Sequence, residues 1–201
     1  MIPPSSDRPA PACPSVAEVA RLMKAPLGRS SMPLRDVALL EMLYATGCRA
    51  SEIAGLRMCD LRLATGMAVV FGKGRRERIV VYGRPAAVAL AAYLRDGRPM
   101  LVGRIDEKPS GPVFVSAAGM RLNRKDIWRI AKKYIAIAGL PASYSTHSLR
   151  HACASHLVAG GAGLEEVQRL LGHALISTTS IYLHSDDATR RQVWSRTGPC
   201  R

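Results

Sequence analysis

Residues 67–83, "MAVVFGKGRRERIVVYG", break the period of the chain. Before and after them, apolar residues recur every third or fourth position, as on one face of a helix. Here two β-rich runs, Met67 to Phe71 and Ile79 to Tyr82, flank a turn built of glycine and charge. Two such runs so close together read as an antiparallel hairpin. A hairpin set among helical segments predicts an α+β fold, mostly helical with a small antiparallel sheet.

The helical segments carry their own punctuation. Ser15 with Glu18 three residues on has the capping-box pattern, and Val16, Val19, Leu22 and Met23 share a face until Pro26 and Gly28 end it. "RDVALLEMLYATG" places Val37, Leu40 and Tyr44 together with Leu43 beside them, and Gly47 is its stop. A short helix follows in "ASEIAGL", and Pro85 at the first helical position opens "PAAVALAAYLRDG". "GPVFVS" reads as a third short strand. In the basic amphipathic "NRKDIWRIAKKYIAIAGL", Asn123 is the cap, Ile127, Ile130, Ala131 and Tyr134 face inward, and Gly139 ends the helix. Four further helical segments follow: "THSLRHACASHLVAGG", "LEEVQRLLG", "STTSIYLH" and "DDATRRQVWS". Val167, Leu170 and Leu171 belong to the core, and Trp128 and Trp194 read as packing anchors.

Charge narrows the partner. Twenty-nine Lys and Arg against 15 Asp and Glu leave +14 on 201 residues, which suits a polyanion, nucleic acid first. The basic residues do not gather on one amphipathic helix, which argues against a membrane surface, and no apolar run is long enough to span a bilayer. The Pro-rich lead, residues 1–14, lacks the apolar core of a signal peptide and reads as disordered. Five cysteines, an odd number without a CxxC pair, predict free thiols in a reducing cytoplasm.

The candidate chemistry is scattered. His147 and Arg150, three apart in "THSLRH", present to the same side of a helix. Arg49 follows the Gly47 stop, and His173 follows Gly172, nine residues before Tyr182. Lys73 sits between glycines in the hairpin turn, but "GKG" without a following Ser or Thr is not a nucleotide P-loop. A metal set drawn from His147, His151, Cys153 and His156 lacks a carboxylate and any zinc spacing, so no metal is expected.

In chain order these motifs are ATG-x-R-x-S-E, GKG-x-x-x-R, H-x-L-R-H, LGH and a tyrosine nine residues on. Together they resemble the catalytic domain of the tyrosine recombinases, closest to the Xer-type and phage-integrase branch, from about Ser15 to the end. The resemblance implies site-specific DNA cleavage and rejoining, with Tyr182 as nucleophile and a 3′-phosphotyrosyl intermediate. Arg49 and Arg150 then clamp the non-bridging oxygens with permanently charged, bidentate contacts. His147 and His173 hydrogen-bond the phosphate, and in the family the first is also the favoured acceptor of the tyrosine proton. Lys73 resembles the general acid for the 5′-oxygen, and Glu52 a supporting carboxylate. No metal, ATP or other cofactor is implied, because the phosphotyrosine bond conserves the energy of the broken link.

Arg75, Arg76 and Arg78 beside Lys73, with Arg124, Lys125, Lys132 and Lys133, are expected to face double-stranded DNA. Tyr144, just before His147, is the alternative nucleophile. The expected organisation is a lead over 1–14, a catalytic domain over 15–185, and a tail helix over 186–201 exchanged between protomers of a homo- or hetero-oligomer. The family's N-terminal core-binding domain is expected to be absent, and Cys48 stands where the family more often has an aliphatic residue. A type IB topoisomerase and a catalytically inactive DNA-binding remnant of a mobile element are the rival readings.

Overall fold

The structure, a computed structural model, describes residues 13–28, 30–72, 74, 76–102 and 110–171. Eight α-helices and three strands lie among them. Helix α1 (Val16–Lys24) starts at the expected capping box: Glu18 N–H donates to Ser15 Oγ, and Ser15 N–H donates to Glu18 Oε2 at 2.8 Å. Helix α2 (Ser31–Thr46) begins four residues before the expected Arg35. It is the central rod, with Ala38, Leu39, Leu40, Met42 and Leu43 all buried. That burial extends to charge. Arg35 donates to Asp36 Oδ1 and to the carbonyl of Val115, and Tyr134 Oη donates to Asp36 Oδ2, so neither ion is buried without partners.

After helix α3 (Ala50–Gly55) comes the sheet: β1 (Leu61–Arg62), β2 (Met67–Phe71) and β3 (Glu77–Val81), antiparallel in the order β1-β2-β3. Met67 pairs with Val81 and Phe71 with Glu77, which is the expected hairpin. The third strand, however, is β1 and not "GPVFVS". Pro112 lacks an amide donor, and its segment makes only single bridges, Pro112 with Arg57 and Val115 with Arg121. Val113, Phe114 and Val115 are all buried, so the segment fills the core as an extended plug with no exposed face.

Helix α4 (Arg84–Ala92) carries Pro85 one residue further in than expected, after Gly83 as N-cap. It does not stop at Gly97. One π-turn over Tyr93–Gly97 leads into α5 (Arg98–Val102). Gly97 permits this: a Cβ there would meet Tyr93 Cδ2 at 3.0 Å and Leu34 Cβ at 3.2 Å. Helices α6 (Arg124–Ile137), α7 (Thr146–Ala159) and α8 (Leu164–Leu171) complete the described chain. A smaller apolar cluster of Val19, Tyr44, Ala152, Cys153, Leu157, Val167 and Leu171 fastens α7 and α8 to α1 and α2. Among the described residues no helix is long and apolar enough to cross a membrane. The two final segments expected to be helical, "STTSIYLH" and "DDATRRQVWS", lie outside the described residues.

Candidate active site

The end of α2 builds the site. Gly47 takes a left-handed φ of 58° and turns the chain toward α3. A side chain there would also collide with Leu171 and come within 3.3 Å of Cys153 Sγ, so the turn is packed as well as bent. Two residues later Arg49 is the N-cap of α3. Its N–H donates to Glu52 Oε2 at 2.8 Å, and its half-exposed side chain reaches Glu52 Oε1 at 3.4 Å.

Glu52 itself is 2% exposed. Arg78, on β3, grips it with both ends of its fork, Nη1 to Oε1 at 2.5 Å and Nη2 to Oε2 at 2.9 Å. Burial by itself would push this carboxyl up, but the hydrogen bonds and charge of Arg78, aided by Arg49, outweigh it and hold the pKa below the usual value. Arg78 was expected to face DNA; the structure turns it inward, with Nη2 also 3.7 Å from Cys48 Sγ. A buried carboxylate beside the strand outbids solvent for a guanidinium. Cys48 is enclosed, and burial raises its thiol pKa to about 11, so it stays neutral among these cations.

Arg150 approaches from α7 and is nearly buried. It donates to the carbonyls of Gly47 at 2.5 Å and Leu171 at 2.7 Å. Burial first, then the positive charges of Arg49 and Arg78, lower its pKa from the ordinary guanidinium value. The backbone N–H of His147, exposed in the first turn of α7, donates to Ser145 Oγ. Arg49, Arg150 and His147 open on one cleft of about 340 Å³, whose other walls include Arg124, Lys125 and Trp128. That many cationic donors around one cavity make it chemically suited to an anion.

The remaining expected residues divide. Arg124 and Lys125 are exposed on the cleft wall, and Arg76 is exposed in the hairpin. Lys132 is turned aside: its Nζ donates to the carbonyls of Ala142 and Tyr144, which makes it a strut at the start of α7. Lys133 lies with Nζ 4.8 Å from the Tyr134 ring centroid. Tyr144 is buried with its hydroxyl toward Glu18 Oε2, away from the cleft. His151 is exposed, Cys153 is buried, and His156 shares a 2.8 Å hydrogen bond with Tyr44, so the four candidate metal ligands do not converge. Lys73, Arg75, His173 and Tyr182 lie outside the described residues.

Sequence reasoning missed two features. Trp128, read as a packing anchor, stands 48% exposed on the cleft wall. Its spacing from Arg124 and Lys125, four and three residues, was the available signal. The grip of Arg78 on Glu52, across 26 residues, left no local pattern.

Comparison with known proteins sets this geometry in context. The model of the phage integrase family matches residues 15–189. The tyrosine recombinase XerD of Halalkalibacterium halodurans is 39% identical over 197 residues, which cover 98% of this chain and 64% of that protein. The chain thus spans a little under two thirds of that relative's length. The crystal structure of XerA recombinase superposes with a TM-score of 0.71 at 28% identity, over 96% of this chain and 68% of the other. A post-cleavage complex of the XerH site-specific recombinase with its palindromic difH substrate shares the fold, with a TM-score of 0.69 at 21% identity over 96% and 52% of the two chains.

Proposed function

The chain belongs to the phage integrase family, and on that premise we propose that it is the DNA-cleaving part of a tyrosine site-specific recombinase. The observation that carries the reading is the meeting of Arg49, Arg150 and His147 over one cationic cleft. The phenol oxygen of Tyr182 attacks the scissile phosphorus. Its proton passes to His147 as the new O–P bond forms. The bond from phosphorus to the 5′-oxygen breaks, and Lys73 protonates that oxygen as it leaves. Arg49 and Arg150, with His173, bear the charge that grows on the non-bridging oxygens. A 5′-hydroxyl from a partner strand then reverses each transfer and frees the tyrosine, so no metal or nucleotide is consumed. Arg76, Arg124, Lys125 and Lys133, with Arg75, supply backbone contacts to double-stranded DNA.

The XerH complex is a DNA-bound relative of the same fold, which supports DNA as the substrate. Strand exchange between two sites needs several protomers, of this chain or of a related one. The tail from Asp186, anchored by Val193 and Trp194, is the segment we assign to contacts between them. Chemistry on chromosomal or mobile-element DNA places the protein in the cytoplasm.

The test is covalent capture. Incubated with a nicked duplex that loses its 5′-hydroxyl strand after cleavage, the protein gives a DNA-linked band on a denaturing gel, and Tyr182→Phe gives none while still shifting DNA on a native gel. A covalent band from Tyr182→Phe would overturn the assignment of the nucleophile.

A further inference from the structure

Trp128 has no part in the chemistry above, yet it sits on the wall of the same cleft. Its neighbours in α6 show that this is a choice of face. Ile127 and Ala131 are fully buried, whereas Trp128, one turn beyond Arg124 and Lys125, is left 48% exposed. Arg124, Lys125 and Trp128 form one stripe facing the space above Arg49, Arg150 and His147. Lys132, one further turn along, keeps its Nζ 5.9 Å from the indole centroid while its hydrogen bonds go to the Ala142 and Tyr144 carbonyls. The indole is therefore framed by cations along its helix, with apolar surface turned toward the cleft.

We infer that Trp128 is a nucleotide-binding residue: its indole packs on the deoxyribose between the phosphate held by Arg49 and Arg150 and the next phosphate along the strand, held by Arg124 and Lys125. This rests on the reading that the cleft takes DNA. The chemistry of the ligand selects the sugar. Along a duplex the alternating backbone offers an anion and then a small apolar C–H face, and a stripe of cations with one exposed ring matches that alternation. Bases inside an intact duplex are stacked and present no face to a wall residue. The contact is apolar, so it adds affinity without adding to counterion release.

Tryptophan fluorescence tests this directly. In a Trp194→Phe background Trp128 is the sole tryptophan. Binding of a short, mixed-sequence, fluorescein-labelled duplex is followed by anisotropy, and access to the indole by acrylamide quenching. Bound duplex is expected to shield Trp128 from acrylamide and shift its emission to the blue. Trp128→Ala is expected to weaken binding about five- to tenfold, near the lower end of aromatic contacts to nucleic acid. Its salt slope stays that of the parent, whereas Lys125→Ala lowers the slope by about one. Trp128→Phe recovers part of the affinity. Thermal melting of each variant checks that the fold is retained.

An indole as accessible with DNA bound as without it would overturn the inference, and so would a salt slope for Trp128→Ala that falls like that of Lys125→Ala. Duplex binding with those results leaves the recombinase reading standing. No anisotropy change at any protein concentration would overturn the DNA reading itself and this inference with it. Shielding that appears only as the protein self-associates, without DNA, would assign the ring to a protein interface and refute the sugar contact.

Discussion

Removing Arg78 isolates a buried charge, and the consequence depends on pH. In the native protein Glu52 is 2% exposed and holds both Nη groups of Arg78. Deleting one partner of a buried ion pair costs about 3–5 kcal/mol. The Arg49 N–H at 2.8 Å remains in Arg78→Ala, so the loss should fall near the lower figure, about 3 kcal/mol at pH 7. The Glu52 pKa is held below its ordinary value of 4.5 in the folded protein. Such a carboxylate contributes stability above the unfolded value, and that contribution is lost as the pH falls through the lower folded value.

Without Arg78, burial dominates and raises the pKa. Stability of the variant then improves on acidification, as the carboxyl picks up a proton and sheds its unpaired charge. The gap between native and variant is therefore largest near neutrality and narrows as the pH falls toward and below 4.5. Urea unfolding followed by circular dichroism at pH 7 and at the acid end of the folded range measures it. A gap of equal size at both pH values would refute the coupling of Glu52 ionisation to Arg78. Glu52→Gln, which keeps an acceptor for the Arg49 N–H, is expected to be milder at pH 7 and to lose the pH dependence.

Lys73→Ala should cleave a 5′-bridging phosphorothiolate at a rate approaching the parent's, because a thiolate leaves without a proton, while Arg150→Ala stays slow on the same substrate; equal defects on normal and sulfur-bridged DNA for Lys73→Ala would remove the acid role. With about five phosphates contacted, log K for duplex binding should fall against log salt with a slope of about −4 to −5, measured by anisotropy, and a slope near zero would give the +14 charge another purpose.

The hairpin, the α1 capping box, the Asn123 cap and the Gly47 stop were all legible in the sequence because each is decided by residues within a few positions. Arg49, His147 and Arg150 were legible as motif residues, and the described fold brings these three to one cleft. What could not be read was settled by distant partners. Arg78 looked like one more cation of a basic turn until Glu52, buried on another element, claimed it. Lys132 looked like a phosphate contact until two carbonyls ten and twelve residues on took its ammonium. "GPVFVS" had a strand's composition, but its neighbours in space offered packing without a ladder. In each case a tertiary partner overrode a local propensity.

Helix α8 has eight residues, too few to hold itself closed in water. Besides its apolar stripe, its last carbonyl, that of Leu171, is held by Arg150. On the proposed reading, a phosphate drawing that guanidinium into the cleft competes with the carbonyl, and substrate binding and the opening of α8 at Leu171 become linked equilibria. Linkage runs both ways: whatever stabilises that turn against fraying weakens the hold on the anion by the same factor. Amide exchange at the end of α8 therefore reports on occupancy of a site it never touches. Arg150→Ala removes a charge and the bond to the Leu171 carbonyl at once, and because the two are coupled its kinetic cost is not their simple product.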